Sequence, residues 1–462
     1  MASLTTAVPA ADHVDVPKTL GRMDLVLLKI VAIVNINNIP PTAVFGRISM
    51  LLWALAFIAF FVPEAIAVLV LSRRYPGEGG IYLWIRKEFG EGHGFLAGWC
   101  YWTCNLFYIP VVLVYMAGIF AFAGGDDSAG LVDNRLFVGG FALGWLALMA
   151  VLNIRGLRVG KWIQNIGGVG TALSVLLVLV AAAIAWGKGV AQDAPVLAPA
   201  QDGAGMAASF SVMCMAFIGI ELASTMGDEI RDPARDLRPA IFTAGAVALA
   251  SYVLVTGAVL ALVPIGELGV IQGIMQAVSS GAKTAGAAWL IGPVAILMGL
   301  SIGGSASAWF AGSTRVPFVA GLTSALPKAL GRVHPEWKSP HVALGVCAVV
   351  AGIFTTLSLV GSSVAEAYQV LLKASVVIQL VPFVYLFIAL MKLSGVGGWA
   401  RAGGALGLVT TVVGIGFSFL PPAEVGSVAL FELKMVVGVL VPTLVGVFLY
   451  RRASARSAAQ RT

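Results

Sequence analysis

Apolar runs of roughly twenty residues recur along most of the chain, separated by short polar stretches. An α-helix needs about 20 apolar residues to cross the hydrocarbon core of a bilayer. About twelve such runs can be drawn, starting near Asp24, Ile48, Gly94, Leu136, Ile163, Met206, Ala240, Trp289, His341, Ala367, Gly403 and Leu430. The longest intervals between them, 72–91, 187–205 and 313–338, leave no room for a soluble domain. Composition agrees: 59% of the 462 residues are hydrophobic and 11% are charged, where a soluble domain carries about a quarter. The pattern predicts an all-α integral membrane protein with the lipid bilayer as its solvent.

Charge sets the orientation. With the N-terminus in the cytoplasm, 23 of the 29 Lys and Arg fall on the cytoplasmic side. They cluster at Arg73/Arg74/Arg86/Lys87, Arg155/Arg158/Lys161, Arg231/Arg235/Arg238, Arg315/Lys328/Arg332/Lys338 and Arg451/Arg452. Arg47, Arg135, Lys188, Lys283 and Lys434 fall outside, and Lys373 alone is assigned to the interior of a span. The positive-inside rule then predicts an even number of crossings with both termini cytoplasmic, in the cytoplasmic (inner) membrane. The net charge of +7 reflects those inner loops and does not predict nucleic-acid binding. Residues 1–20, which lack a signal-peptide pattern, and 451–462 read as disordered cytoplasmic tails. Cys100, Cys104, Cys214 and Cys347 lie in apolar spans without metal or redox spacing, so no metal or cofactor is predicted.

Two spans are chemically odd. The first carries Asn35-Ile36-Asn37-Asn38 followed by Pro40 and Pro41. Proline removes a backbone donor and disfavours helix just before it. The sixth carries Phe217-Ile218-Gly219-Ile220-Glu221, a glycine beside a carboxylate at membrane depth. Taken singly, the first is a proline kink with asparagines bridging helices, and the second is close helix packing. Taken together, five helices apart, they match the interrupted pairs of an inverted-repeat transporter. Unwound backbone is tolerated at that depth only where it lines a cavity or is buried in protein.

Several motifs resemble the amino acid–polyamine–organocation (APC) transporter family, which has the LeuT-type fold. They are Pro76-Gly77-Glu78-Gly79-Gly80-Ile81-Tyr82, then Phe89-Gly90 and Gly98-Trp99, and Phe217 to Glu221 followed by Glu229 and Pro233. Trp309, eighteen residues before Pro327, is similar to a substrate-lining tryptophan of the arginine–agmatine antiporter branch. The Pro63-Glu64 pair and Trp84 resemble the branch with plant polyamine carriers. The likeness runs from about residue 24 to 395 and implies a five-plus-five inverted repeat, 21–200 and 201–395, with two further helices in 396–450. It implies a substrate site at Asn35, Ile36, Asn37, Asn38, Phe217, Ile218, Gly219, Ile220 and Trp309. The chain departs from the family at helix one, where α-amino acid carriers have a glycine-rich stretch and this sequence has asparagines.

Ionisable residues inside a membrane are functional candidates by default. Glu221 is expected to exchange a coupling proton, to pair with a substrate ammonium, or to bond the unwound backbone as a neutral acid. Lys373 is expected either to serve coupling and attract a substrate carboxylate or to snorkel outward. Glu64 reads as a packing hydrogen bond. Ser305 and Ser307 are not adjacent, so a sodium site is not favoured. No filter motif, zinc-protease motif, nucleophile elbow or Walker motif is present, against a channel, an intramembrane enzyme or an ATP-driven pump. The expected function is secondary active transport of an amino acid by alternating access, proton-coupled or by exchange. A polyamine or amine is the alternative substrate, a channel or sensor on the same fold is a further one, and homo-oligomerisation is left open.

Overall fold

A computed structural model of the chain describes residues 16–198, 203–268, 273–322, 326–359, 364–420 and 427–459. All the regular structure in them is helical, apart from two isolated bridges, Leu20 with Ile230 and Glu78 with Met226. In chain order the helices are α1 (Arg22–Ile33), α2 (Ile48–Arg74), α3 (Ile81–Phe89), α4 (Glu91–Phe120), α5 (Arg135–Ile154), α6 (Leu157–Gly187) and α7 (Gly203–Met215). They continue as α8 (Pro233–Leu262), α9 (Gly273–Thr284), α10 (Ile291–Leu322), α11 (His341–Ser358), α12 (Val364–Lys392), α13 (Gly398–Ser418) and α14 (Val428–Ala459). Among the described residues, ten helices are long and apolar enough to cross a membrane. The other two predicted segments are the interrupted ones, whose leading helices α1 and α7 have only 12 and 13 residues.

The core is built around α4 and α10, the most buried of the long helices. Small residues let backbones approach where lipid supplies no hydrophobic drive between helices. Gly167 of α6 and Gly304 of α10 meet this way: a Cβ on Gly167 would lie 2.6 Å from the Gly304 Cα. At the periphery α14 turns Leu433, Leu440, Leu444 and Phe448 outward, as a lipid-facing helix must.

Both predicted tails need revision where they are described. Residues 1–15 and 460–462 lie outside the described residues. Leu20 is fully buried, and the Thr19 and Leu20 amides donate to the Glu229 carbonyl. At the other end α14 runs on to Ala459, because alanine and arginine after Tyr450 are strong helix formers.

Candidate functional site

The first span opens at Val34 and Asn35, whose backbones leave the helical region (φ −84°, ψ 88° and φ −112°, ψ 83°). A 3₁₀ turn, Ile36–Asn38, and a helical turn, Pro40–Ala43, follow. The prolines therefore do not make the gap itself. They sit at the start of the second half, where a missing N–H costs nothing and φ is already set.

The sixth span opens after Met215, and Gly219 takes φ +133°, a conformation that L side chains rarely adopt. A Cβ there would meet Ile33 Cγ2 at 3.1 Å, Ala32 Cβ at 3.2 Å and Trp309 Cζ2 at 3.2 Å. Gly219 is thus the point where both broken spans and α10 touch. Trp309 is flanked by Tyr101 and Tyr108 of α4, ring centroids 6.2 and 6.3 Å away. Asn35 Nδ2 donates a long bond, 3.4 Å, to the Tyr108 hydroxyl, and the buried Oδ1 of Asn37 has no partner.

Tyr252 of α8 joins the two gaps. Its hydroxyl accepts from the Asn35 amide at 3.0 Å, donates to the Ile33 carbonyl at 2.6 Å and lies 3.1 Å from the Ala216 carbonyl. Stacking on Trp53, at 4.0 Å with the planes 1° apart, and edge contact with Phe217 hold its ring. Through this one side chain the Asn35 amide and the Ile33 carbonyl of the first break find a partner, with the Ala216 carbonyl of the sixth span beside it. Sequence reading gave no signal for it, because a tyrosine in an apolar span has no distinguishing spacing.

Glu221 is fully buried and doubly bonded: Gly219 N–H donates to Oε2 and the Tyr101 hydroxyl to Oε1, each at 2.9 Å. Lys29 of α1, also fully buried, donates from Nζ to the Ile220 carbonyl. The charge count had placed Lys29 at the cytoplasmic flank, and the fold corrects this. Glu64 of α2 completes the group beside Glu221 and Lys29, with both oxygens buried and without a donor. The predicted packing hydrogen bond is absent. Its position follows a π-helical segment, Phe57–Phe61, which adds a residue to one turn and rotates what comes after.

Lys373 does not join these residues. Its Nζ donates to the Leu420 carbonyl at 2.5 Å and lies 5.5 Å from the centre of the Phe431 ring, toward α13 and α14.

A second polar cluster lies at the arginine-rich end of the bundle. Arg315 of α10 donates from Nε and Nη2 to Glu229 Oε1, at 3.0 and 2.6 Å, and its Nε lies 3.8 Å from Glu78 Oε1. Backbone bonds bind the same parts: Gly79 N–H to the Thr225 carbonyl at 2.9 Å, and Asp228 N–H to Glu78 Oε2 at 3.1 Å. Glu78, in the loop after α2, is held well above the usual carboxylate range by burial and by the nearby Glu229, with Arg315 opposing. A raised carboxyl favours the folded state most below its unfolded value of about 4.3, and that advantage fades as pH climbs through the folded value. Thermal stability is therefore expected to fall as pH rises upward from about 4.3, and Glu78→Gln to flatten the slope. Equal slopes for the two proteins in a pH series of melting curves would refute this.

Comparison with known proteins places these elements in a wider set. The profile of the family described as amino acid permease matches residues 20–447. An uncharacterized transporter of Legionella pneumophila is 26% identical, over 92% of this chain and 94% of its own. The Probable agmatine/putrescine antiporter AguD of Lactococcus lactis is 22% identical over 89% and 90%. The branched-chain amino acid permease BcaP of Bacillus subtilis is 26% identical over 71% and 72%.

Proposed function

Since the chain belongs to the amino acid permease family of APC-type transporters, we propose that it carries a zwitterionic amino acid across the cytoplasmic membrane by alternating access, coupled to protons or by exchange. The observation that carries this is the meeting of two broken spans at Gly219 beneath Trp309. The first amides of the Ile36–Asn38 turn have no helical carbonyl upstream, because the backbone leaves the helical region at Val34 and Asn35. Such N–H groups, with the turn's dipole, suit a carboxylate. The last carbonyls of α7 suit an ammonium. Trp309 covers the aliphatic stem between them. On this reading the chain makes twelve crossings. Residues 21–200 and 201–395 form two inverted repeats, 396–450 adds two helices, and both termini are cytoplasmic.

A second reading, an amine substrate, is favoured by the likeness to AguD and to the low-affinity putrescine importer PlaP of Escherichia coli. Lys373, one expected anchor for a substrate carboxylate, points instead to the Leu420 carbonyl and the Phe431 ring. Two buried carboxyl groups near Gly219 also suit a cation.

Counterflow in proteoliposomes decides, with radiolabelled leucine, alanine, arginine, putrescine and spermidine as probes. Exchange of amino acids and indifference to the polyamines supports the first reading, and the reverse supports the second. Trp309→Ala is expected to weaken binding of the transported probe roughly tenfold or more, the scale of losing a desolvated aromatic face. Unchanged affinity would remove Trp309 from the site.

A further inference from the structure

Lys29, Glu64 and Glu221 come from three different spans and are all fully buried. Two acids and one base make an odd set at membrane depth, because a third, unbalanced charge has no solvent to relax into. The partners divide unevenly. Glu221 holds two donors, Tyr101 and the Gly219 amide, and Lys29 is bonded to the Ile220 carbonyl beside it. Glu64 holds none. The polar groups facing it are the Glu221 carboxyl and the Gly219 amide, with the Lys29 ammonium and the Tyr101 hydroxyl the other titratable groups nearby. Two carboxylates cannot bond each other, since neither has a hydrogen to give. One added proton supplies a donor to the pair and balances the charge of the set with Lys29. The π-helical segment at Phe57–Phe61, immediately before Pro63, is the local device that brings Glu64 there. Such bulges occur often at functional sites.

We propose that Glu64 and Glu221 share a single proton as a dyad, with Lys29 as its fixed counter-charge, and that this dyad is the coupling site of transport. The second clause rests on the transport reading above, and the first does not. Glu221 belongs to the break of the sixth span and Lys29 to the helix before the break of the first, so the set ties both broken spans together. Straightening or shifting either break pulls Glu221 from Glu64 and forces the shared proton to leave or to commit to one acid. Glu64 is then not a passive part of α2 but the acid that receives or releases.

Infrared difference spectroscopy of the full chain in lipid, titrated across neutral pH, reads the dyad directly through the carbonyl stretch of a protonated carboxyl group. Glu78 carries a raised carboxyl of its own, so every protein in the series, including the reference called wild type here, is made on a Glu78→Gln background, and one such band is then expected. It should vanish in Glu64→Gln and in Glu221→Gln, since either leaves one acid beside Lys29. It should grow about twofold in Lys29→Met, which leaves two acids without a base; the twofold figure is the count of acids needing neutralisation. A wild type without the band, or a band that survives both glutamine variants, overturns the dyad. Accumulation of radiolabelled leucine or putrescine driven by a pH gradient tests the coupling. Loss of accumulation in Glu64→Gln with return in Glu64→Asp is expected. Accumulation by Glu64→Gln at the wild-type level overturns the coupling role even if the band behaves as expected. If the wild type takes up neither probe, the transport reading is the one that fails, and the infrared result still decides the dyad.

Discussion

Arg315→Ala is expected to lower thermal stability by more than any other single truncation of a polar side chain in this protein. The guanidinium is 2% exposed and meets two buried carboxyl groups, Glu78 at 2% and Glu229 at 5% exposure. Removing one partner of a buried ion pair costs about 3–5 kcal/mol, because the remaining charge is stranded. With the melting temperature moving about 2–4 °C per kcal/mol, the drop should be roughly 10 °C. Arg315→Lys should recover only part of it, since an ammonium cannot reproduce the two-pronged bond to Glu229. The triple change Arg315→Ala, Glu229→Gln, Glu78→Gln should recover more, because no stranded charge is left. A melting temperature for Arg315→Ala within about a degree of wild type would show that water already reaches the cluster.

The position of that cluster gives the loss a functional side. Arg315 ties α10 to the segment after the sixth-span break and to the loop after α2, and Thr225 adds a bond from its hydroxyl to the Gly312 carbonyl at 2.9 Å. Leu20 and Ile230 close the same end. If the proposed alternating access opens toward the arginine-rich side, these are the contacts it would part.

The spans and both breaks were legible in the sequence because their signals are local. An apolar run of membrane length, three asparagines within four residues and a glycine next to a carboxylate each announce themselves without knowledge of the fold. What failed to show was the direction in which side chains point. Lys29 lies near the end of a span, and hydropathy alone cannot tell a flanking lysine from one turned inward. Glu64 follows a π-helical segment whose extra residue shifts the face of everything beyond it, and no periodicity in the sequence marks that shift. Lys373 shows the converse: a lysine within an apolar run, turned to a carbonyl and an aromatic ring away from the breaks. Tyr252 needed contacts across more than 200 residues of sequence, from Asn35 to α8. Burial and partner identity are long-range properties, and in a bundle of crossing helices they decide which polar residues carry chemistry.

Gly219→Val should abolish uptake of whichever probe the wild type transports, with a smaller effect on the fold. Two costs add at this position. The backbone at φ +133° is strained for any residue with a Cβ, by about 1–3 kcal/mol. The Cβ itself would stand 3.1–3.2 Å from Ile33, Ala32 and Trp309, three neighbours on two different elements. Valine adds two further methyl groups to that space, and its branching leaves χ1 little freedom to avoid them. The cheapest relief is to push the first span and Trp309 away from the sixth, which separates the surfaces proposed to hold the substrate. It also displaces the Gly219 amide from Glu221, to which it donates at 2.9 Å. Gly219→Ala should show the same direction with a partial loss, near tenfold, the kinetic equivalent of about 1.4 kcal/mol. Gly140→Ala is the control, since a Cβ there meets nothing within 4 Å and the residue sits inside α5, where alanine favours the helix. The decisive measurement is uptake set beside the melting temperature for all three variants. Uptake by Gly219→Val at the level of Gly140→Ala would mean that the junction of the two breaks takes no part in transport.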